Sequence, residues 1–246
     1  MLLKFFSIIA VSIFSAGIYA APKDYPEFYP QKEQLIEREG YTLLYSSEHK
    51  QPRWVIEHLT PENFSGPGHR SDFKTDEQIF SPSRSTDADY KGSGWSRGHN
   101  ARAGDFKCSQ ALEDDTFLLS NICPQNIQNN NNIWGDLEQY VEDQIVSAGN
   151  DAFVVTGPLY LWDSDNTGKK SIHYEVIGNG ISVPTHMFKV YVQRNASKGI
   201  TKVECYLIPN IEIKDRSFKD FTISLADVEE KTRLQFPAIY HIQSGI

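Results

Sequence analysis

Two stretches of this 246-residue chain hold most of its chemically capable side chains: YKGSGWSRGHNARAGD at 90–105 and NICPQNIQNNNNIWGDLE at 121–138. In the first, His99 has a side chain whose ordinary pKa lies near neutrality, so it can serve as a general base. Arg97 is two residues earlier, on the same face if this segment is a strand, and its guanidinium can fork onto a phosphate. In the second, Asn130, Trp134 and Glu138 recur every four residues and share one flank of a helix. Asn130 offers a hard oxygen donor of the kind Mg²⁺ accepts while keeping most of its waters. Glu138 can orient a metal-bound water or accept a hydrogen bond from a neighbouring group, and Trp134 packs the helix onto a sheet. A base, a phosphate-holding cation and a hard-metal ligand together suit hydrolysis of a phosphodiester, whose transition state gathers negative charge on the phosphoryl oxygens.

Each residue has a blander reading when taken alone. A single histidine is more often a hydrogen-bonded structural residue, a run of asparagines a solvated turn, and a helix glutamate a surface acid. The Gly92-Ser93-Gly94 string has neither the spacing nor the surrounding strand–helix–strand unit of a nucleotide loop. There is no GxSxG elbow for a serine esterase and no HExxH helix for a zinc hydrolase.

The elements that must position these groups can be read from periodicity. YTLLYS (41–46) and PRWVIEHL (52–59) form a β-hairpin, and residues 60–94 are a long irregular stretch of the kind that often carries function. Short strands are expected near Trp95–Asn100 and at TFLLSN (116–121), with helical turns in SQALEDD between them. Ile133, Leu137, Tyr140 or Val141, and Ile145 follow helical spacing up to Gly149. Strand-like runs then return in DAFVVTGPLYL, YEVIG, ISVPTHMFKVYVQ and KVECYLIPN, before a last helix capped by Ser224 and Asp227. The pattern is an α+β chain, one domain over 35–246, with an antiparallel-rich central sheet. Residues 21–34 are polar and read as an extended arm.

Residues 1–20, MLLKFFSIIAVSIFSAGIYA, have a basic start, a short apolar core and small residues at the end, the pattern of a cleaved signal peptide. On that reading the protein is secreted or periplasmic and has no stable membrane association after cleavage. Removing the leader takes away Lys4 and no acid, moving the net charge from −8 to −9. Such a surface excludes a protein that lives on nucleic acid by broad counterion release, but not one that engages phosphate locally. Lys91, Arg97, Arg102 and Lys107 gather around the motif and could form that local groove. Cys108, Cys123 and Cys205 match no zinc pattern and define no bridge; Cys123 and Cys205 lie in apolar runs that suit buried free thiols.

The string GSGWSRGHNARAGD followed by FLLSNICPQNIQNNNNIWGDLE resembles the DNA/RNA non-specific endonuclease family, the ββα-metal or His-Me finger nucleases. RSDFKTD near Arg70, VVTGPLY, YEVIGNGISVPTHMFKV and LIPN look like further family blocks in family order, so the resemblance spans roughly Ile36 to Phe236. It implies His99 as general base, Arg97 on the phosphate, Asn130 holding Mg²⁺ with Mn²⁺ as a substitute, and Glu138 as the acid on the same helix. It further implies Arg70 and Asn121 as substrate-binding residues, to which the cluster of cations around the motif adds Arg102, with DNA and RNA both open as substrates, 5′-phosphate products, and a homodimer as an open assembly. The usual first motif residue is aspartate, and here it is Ser96; one mitochondrial branch of the family shares that serine. The competing expectation is a secreted binding protein that keeps the nuclease-like fold without turnover, motivated by Ser96 and the acidic surface.

Overall fold

The computed structural model describes residues 33–164, 170–197, 199–236 and 239, so the leader at 1–20 and the arm up to residue 32 lie outside the described residues. The last two residues of the expected arm belong instead to the first strand, β1 (Glu33–Glu37). It pairs with β2 (Tyr41–Ser46), which forms the expected hairpin with β3 (Gln51–Leu59). Next come helix α1 (Asp87–Tyr90), β4 (Ser96–His99), α2 (Gln110–Thr116) and β5 (Ile122–Gln125). A single helical run follows, made of α3 (Ile127–Asn129), a π turn over Asn130–Trp134, and α4 (Gly135–Ala148). The remaining elements are β6 (Ala152–Leu159), β7 (Asp163–Ser164), β8 (Lys170–Ser171), β9 (Val176–Ile177), β10 (Ile181–Ser182), β11 (His186–Arg194), β12 (Ile200–Pro209), β13 (Thr222–Ile223) and α5 (Leu225–Thr232).

Seven strands form one antiparallel sheet in the order β1-β2-β3-β6-β11-β12-β13. Its central strands are buried on both faces, which is why β11 reads as an almost unbroken apolar run. Strand alternation divides the side chains between two cores. Val55, Val154, Met187 and Tyr191 pack against Trp134, Leu137, Val141 and Ile145 of the long helical run. Trp54, Val155, Phe188 and Val190 meet Val228 of α5, together with Leu234 and Phe236, on the other face. The α+β, antiparallel architecture expected from sequence is therefore the one observed.

β4 and β5 stand apart as a two-stranded hairpin and lead directly into the long helix, giving the expected ββα unit. The strand expected at 116–121 is not there. α2 ends at Thr116, Leu119–Asn121 form a 3₁₀ turn, and the strand starts at Ile122. Leu119, Ser120 and Asn121 are buried in succession, a pattern a one-sided strand cannot supply but a tight turn sunk in the core can. The capping box at Ser224 and Asp227 forms as expected, and Gly149 ends α4 in the left-handed region at φ 62°. All three cysteines are free, with Cys123 and Cys205 buried. Among the described residues no helix is long and apolar enough to cross a membrane.

Candidate active site

The site is built on the β4–β5 hairpin. Gly98 faces Cys123 in the ladder, and a Cβ at Gly98 would collide with Gln125 Oε1 and lie 2.7 Å from that residue's Cβ. Glycine here lets the two strands close, with Arg97 and His99 flanking it. Ser96, where the family pattern has aspartate, donates its hydroxyl to the backbone oxygen of Gln125 at 2.9 Å and pins the open end of the hairpin.

Arg97 and His99 meet the same aromatic wall. The Arg97 guanidinium lies 5.5 Å from the Phe73 ring centre, and the His99 ring packs on Phe73 at 5.4 Å and edge-on to Phe117 at 4.9 Å. Arg70 reaches the same wall from the preceding loop, 5.9 Å from Phe73 and 5.7 Å from Phe117. Three sequence candidates are thus brought together by two phenylalanines that sequence reasoning did not single out; no spacing in the sequence marks either of them. Burial first, and the Arg70 charge second, lower the His99 imidazole to about 4, so the ring is neutral at physiological pH. Its Nε2 is sealed from solvent without a hydrogen-bond partner. Arg97 is held by Asp87 at the start of α1, through an ion pair of 2.6 Å and a bond to the Asp87 carbonyl at 3.1 Å.

The asparagines do not form a solvated turn. Asn126 caps the helical run by accepting from the amides of Gln128 and Asn129, each at 3.0 Å. Asn129 donates to the carbonyls of Pro209 and Ile211 at 2.9 and 3.0 Å, tying the helix start to the end of β12. Asn130, next in line, is half-buried, and its carboxamide makes no hydrogen bond among the described residues. It opens the π turn, whose i→i+5 bonding advances each residue less than an α turn does.

Glu138 is not the surface acid its position suggests. Its side chain is 13% exposed, and Arg102 Nε lies 3.6 Å from Oε2. Burial raises this carboxyl to about 7, against the pull of Lys189 and Arg102.

Two of the expected substrate-binding residues are elsewhere engaged. Arg102 turns away from the hairpin face and pairs with Glu142 at 2.7 Å and Asp105 at 3.2 Å as well as with Glu138. An arginine so claimed by buried carboxylates is a structural counter-charge rather than a free phosphate clamp. Asn121 is fully buried, and its carboxamide is spent on backbone: it accepts from the Ala101 amide at 2.8 Å and donates to the carbonyls of Ala101 and Thr116, both at 2.9 Å. It fixes the loop after His99 and offers nothing to a ligand.

Comparison with known proteins bears on the family and the fold. The sequence profile described as DNA/RNA non-specific endonuclease matches residues 24–238. The chain is 38% identical to human mitochondrial endonuclease G over 84% of its own length and 70% of that protein's. It is 37% identical to the mitochondrial nuclease EXOG of Danio rerio, over 81% of this chain and 60% of that one. A crystal structure of endonuclease G in complex with EndoGI, described as showing the mechanism of endonuclease G inhibition, superposes with a TM-score of 0.78 at 37% identity, covering 82% of this chain and 84% of that one. The mitochondrial names of these relatives overturn the secreted or periplasmic location expected from residues 1–20. The physical reason is that a basic residue, apolar bulk and absence of acids are features that more than one targeting system reads. With the profile covering most of the chain and the ββα unit in place, this protein belongs to the DNA/RNA non-specific endonuclease family.

Proposed function

We propose that this nuclease hydrolyses phosphodiester bonds of DNA and RNA with little sequence preference, using His99 as general base and a divalent cation held at Asn130. The observation that carries this reading is a neutral His99 set beside two arginines on one aromatic wall.

The residues present suit a hard cation. Asn130 supplies an oxygen donor with no competing partner among the described residues. Among the described residues, no three His, Cys, Asp or Glu side chains gather into a metal cage. That donor set fits Mg²⁺, which keeps most of its waters, with Mn²⁺ as a substitute. When bound, the ion would neutralise charge on the scissile phosphate and on the departing 3′ oxygen.

The chain's own groups do the rest. With Nε2 sealed, His99 takes the proton of the attacking water on Nδ1. Neutral at pH 7, it needs no prior deprotonation. Arg97, aligned by Asp87, and Arg70 receive the phosphoryl oxygens as charge builds on them. Glu138 steadies the helix flank and water on the Asn130 side. Attack opposite the 3′ oxygen leaves a 5′-phosphate. Contacts confined to phosphate and sugar carry little base information, which accounts for the low selectivity.

Nicking of supercoiled plasmid and cleavage of single-stranded RNA test this, run with Mg²⁺, with chelator and beside His99→Ala. Cleavage that needs both the cation and His99 is expected. Intact DNA and RNA under Mg²⁺ and Mn²⁺ would refute it and leave a binding protein without turnover.

A further inference from the structure

Directly behind the helix that carries Asn130 and Glu138, the sheet presents charge where it should present hydrocarbon. Lys189 and Glu57 occupy inward positions of β11 and β3, in rows otherwise filled by Met187, Tyr191, Val55 and Leu59. Lys189 is 2% exposed and Glu57 1%. The ammonium donates to Thr156 Oγ1 at 2.9 Å and lies 5.0 Å from the ring centre of Trp134, one turn before Glu138 on the same flank. Burying an ammonium costs stability that a methionine there would not.

We propose that Lys189 is a positioning residue for Glu138: planted in the sheet beneath Trp134, its ammonium supplies the buried counter-charge that holds the Glu138 carboxylate, and with it the flank of the helix carrying Asn130, in working geometry.

The charges around Glu138 leave this part to Lys189. Four carboxyls (Glu57 from β3, Asp105 from the loop after β4, and Glu138 and Glu142 from α4) face two cations, Arg102 and Lys189. Arg102 is shared by three of them, and Glu138 at 3.6 Å is the farthest, behind Glu142 at 2.7 Å and Asp105 at 3.2 Å. Glu57 does not compete for the ammonium as an anion. Neither of its oxygens has a hydrogen-bond partner, and burial, reinforced by the Asp105 charge, drives its carboxyl well up into the neutral form. Lys189 therefore faces a neutral Glu57 on one side and Glu138 and Asp105 on the other, and of these two acids Asp105 has Arg102 the nearer, at 3.2 Å against 3.6 Å.

The test is the pH dependence of kcat and KM for Lys189→Met, which keeps the stem and removes the charge. An opposite charge close to a buried carboxyl moves it by about one unit or more. The acid limb of kcat is expected to rise by about one pH unit from the wild-type position, giving roughly fivefold slower turnover at pH 7 that recovers toward pH 9. KM stays within about twofold, and Tm at pH 7 falls below that of wild type, because the buried Glu138 carboxylate loses its counter-charge. An acid limb that superimposes on wild type overturns the proposal. Glu57→Gln decides independently of whether Lys189→Met folds. It should keep the wild-type acid limb or move it lower, with Tm within about 5 °C of wild type. A loss of more than about 10 °C would make Lys189 the partner of Glu57 and overturn the assignment. Because the proposal rests on the role given to Glu138 above, Glu138→Gln is measured alongside. Undiminished turnover there refutes that role, whereas lost turnover there with an unshifted Lys189→Met refutes only the part given to Lys189.

Discussion

Replacing His99 by glutamine should make the protein less sensitive to acid, and the size of the effect follows from the site. In the unfolded chain the imidazole titrates near 6.5; in the folded protein, burial and then Arg70 hold it at about 4. Between those values the unfolded state binds a proton that the folded state refuses, so stability falls as pH falls. A gap of 2.5 units at about 1.4 kcal/mol each, evaluated at pH 4 where the folded group is itself half protonated, amounts to about 3 kcal/mol. The ring is partly exposed, and solvent screening lowers this toward about 2 kcal/mol. Urea unfolding of wild type and His99→Gln at pH 7.5 and pH 4 isolates the term. The carboxyls of the Glu138 cluster titrate in both proteins and cancel in the difference. Wild type should lose about 2–3 kcal/mol more than the variant on acidification. Equal losses, or a His99 ring that titrates near 6.5 by NMR, would refute the claim that the fold keeps this base neutral.

Two further outcomes follow from the geometry. Gly98→Ala should destabilise the protein by about 2 kcal/mol or more and abolish cleavage, because the added methyl meets Gln125 within the two-stranded hairpin; urea unfolding with a plasmid assay checks both, and a stable, active variant would show that the hairpin has room. Arg102→Gln should behave as a core lesion, losing about 3 kcal/mol by leaving Asp105, Glu138 and Glu142 without their shared cation. A variant of undiminished stability whose only change is a raised KM would return Arg102 to the substrate.

Legibility from sequence tracked how local the determinant is. The β2–β3 hairpin, the helix ending at Gly149 and the cap at Ser224 were readable because a few neighbouring residues fix each of them. The TFLLSN segment misled because its apolar residues are consistent with a strand, while what folds it is the burial of Asn121 among carbonyls 5 and 20 residues away. Phe73 and Phe117 were invisible as site residues for the same reason, since each matters through ring contacts with His99 and the arginines. Glu138 and Arg102 were legible as residue types in the right segments. That one sits against the sheet and the other turns toward it could not be read from their spacing.

The sequence by itself determined the β2–β3 hairpin, the long helix up to Gly149, the last helix capped at Ser224, and the membership of the chain in its nuclease family, because periodicity, caps and motif order are properties of neighbours along the chain. Only the tertiary structure decided which of its charged groups are buried and which cations they are paired with. Lys189 and Glu57 lie more than 130 residues apart in sequence, on strands of one sheet, and both are buried. The protonation states of His99 and Glu138 likewise come from desolvation and from partners brought in by folding, and a pKa set by burial does not exist until the chain has buried it.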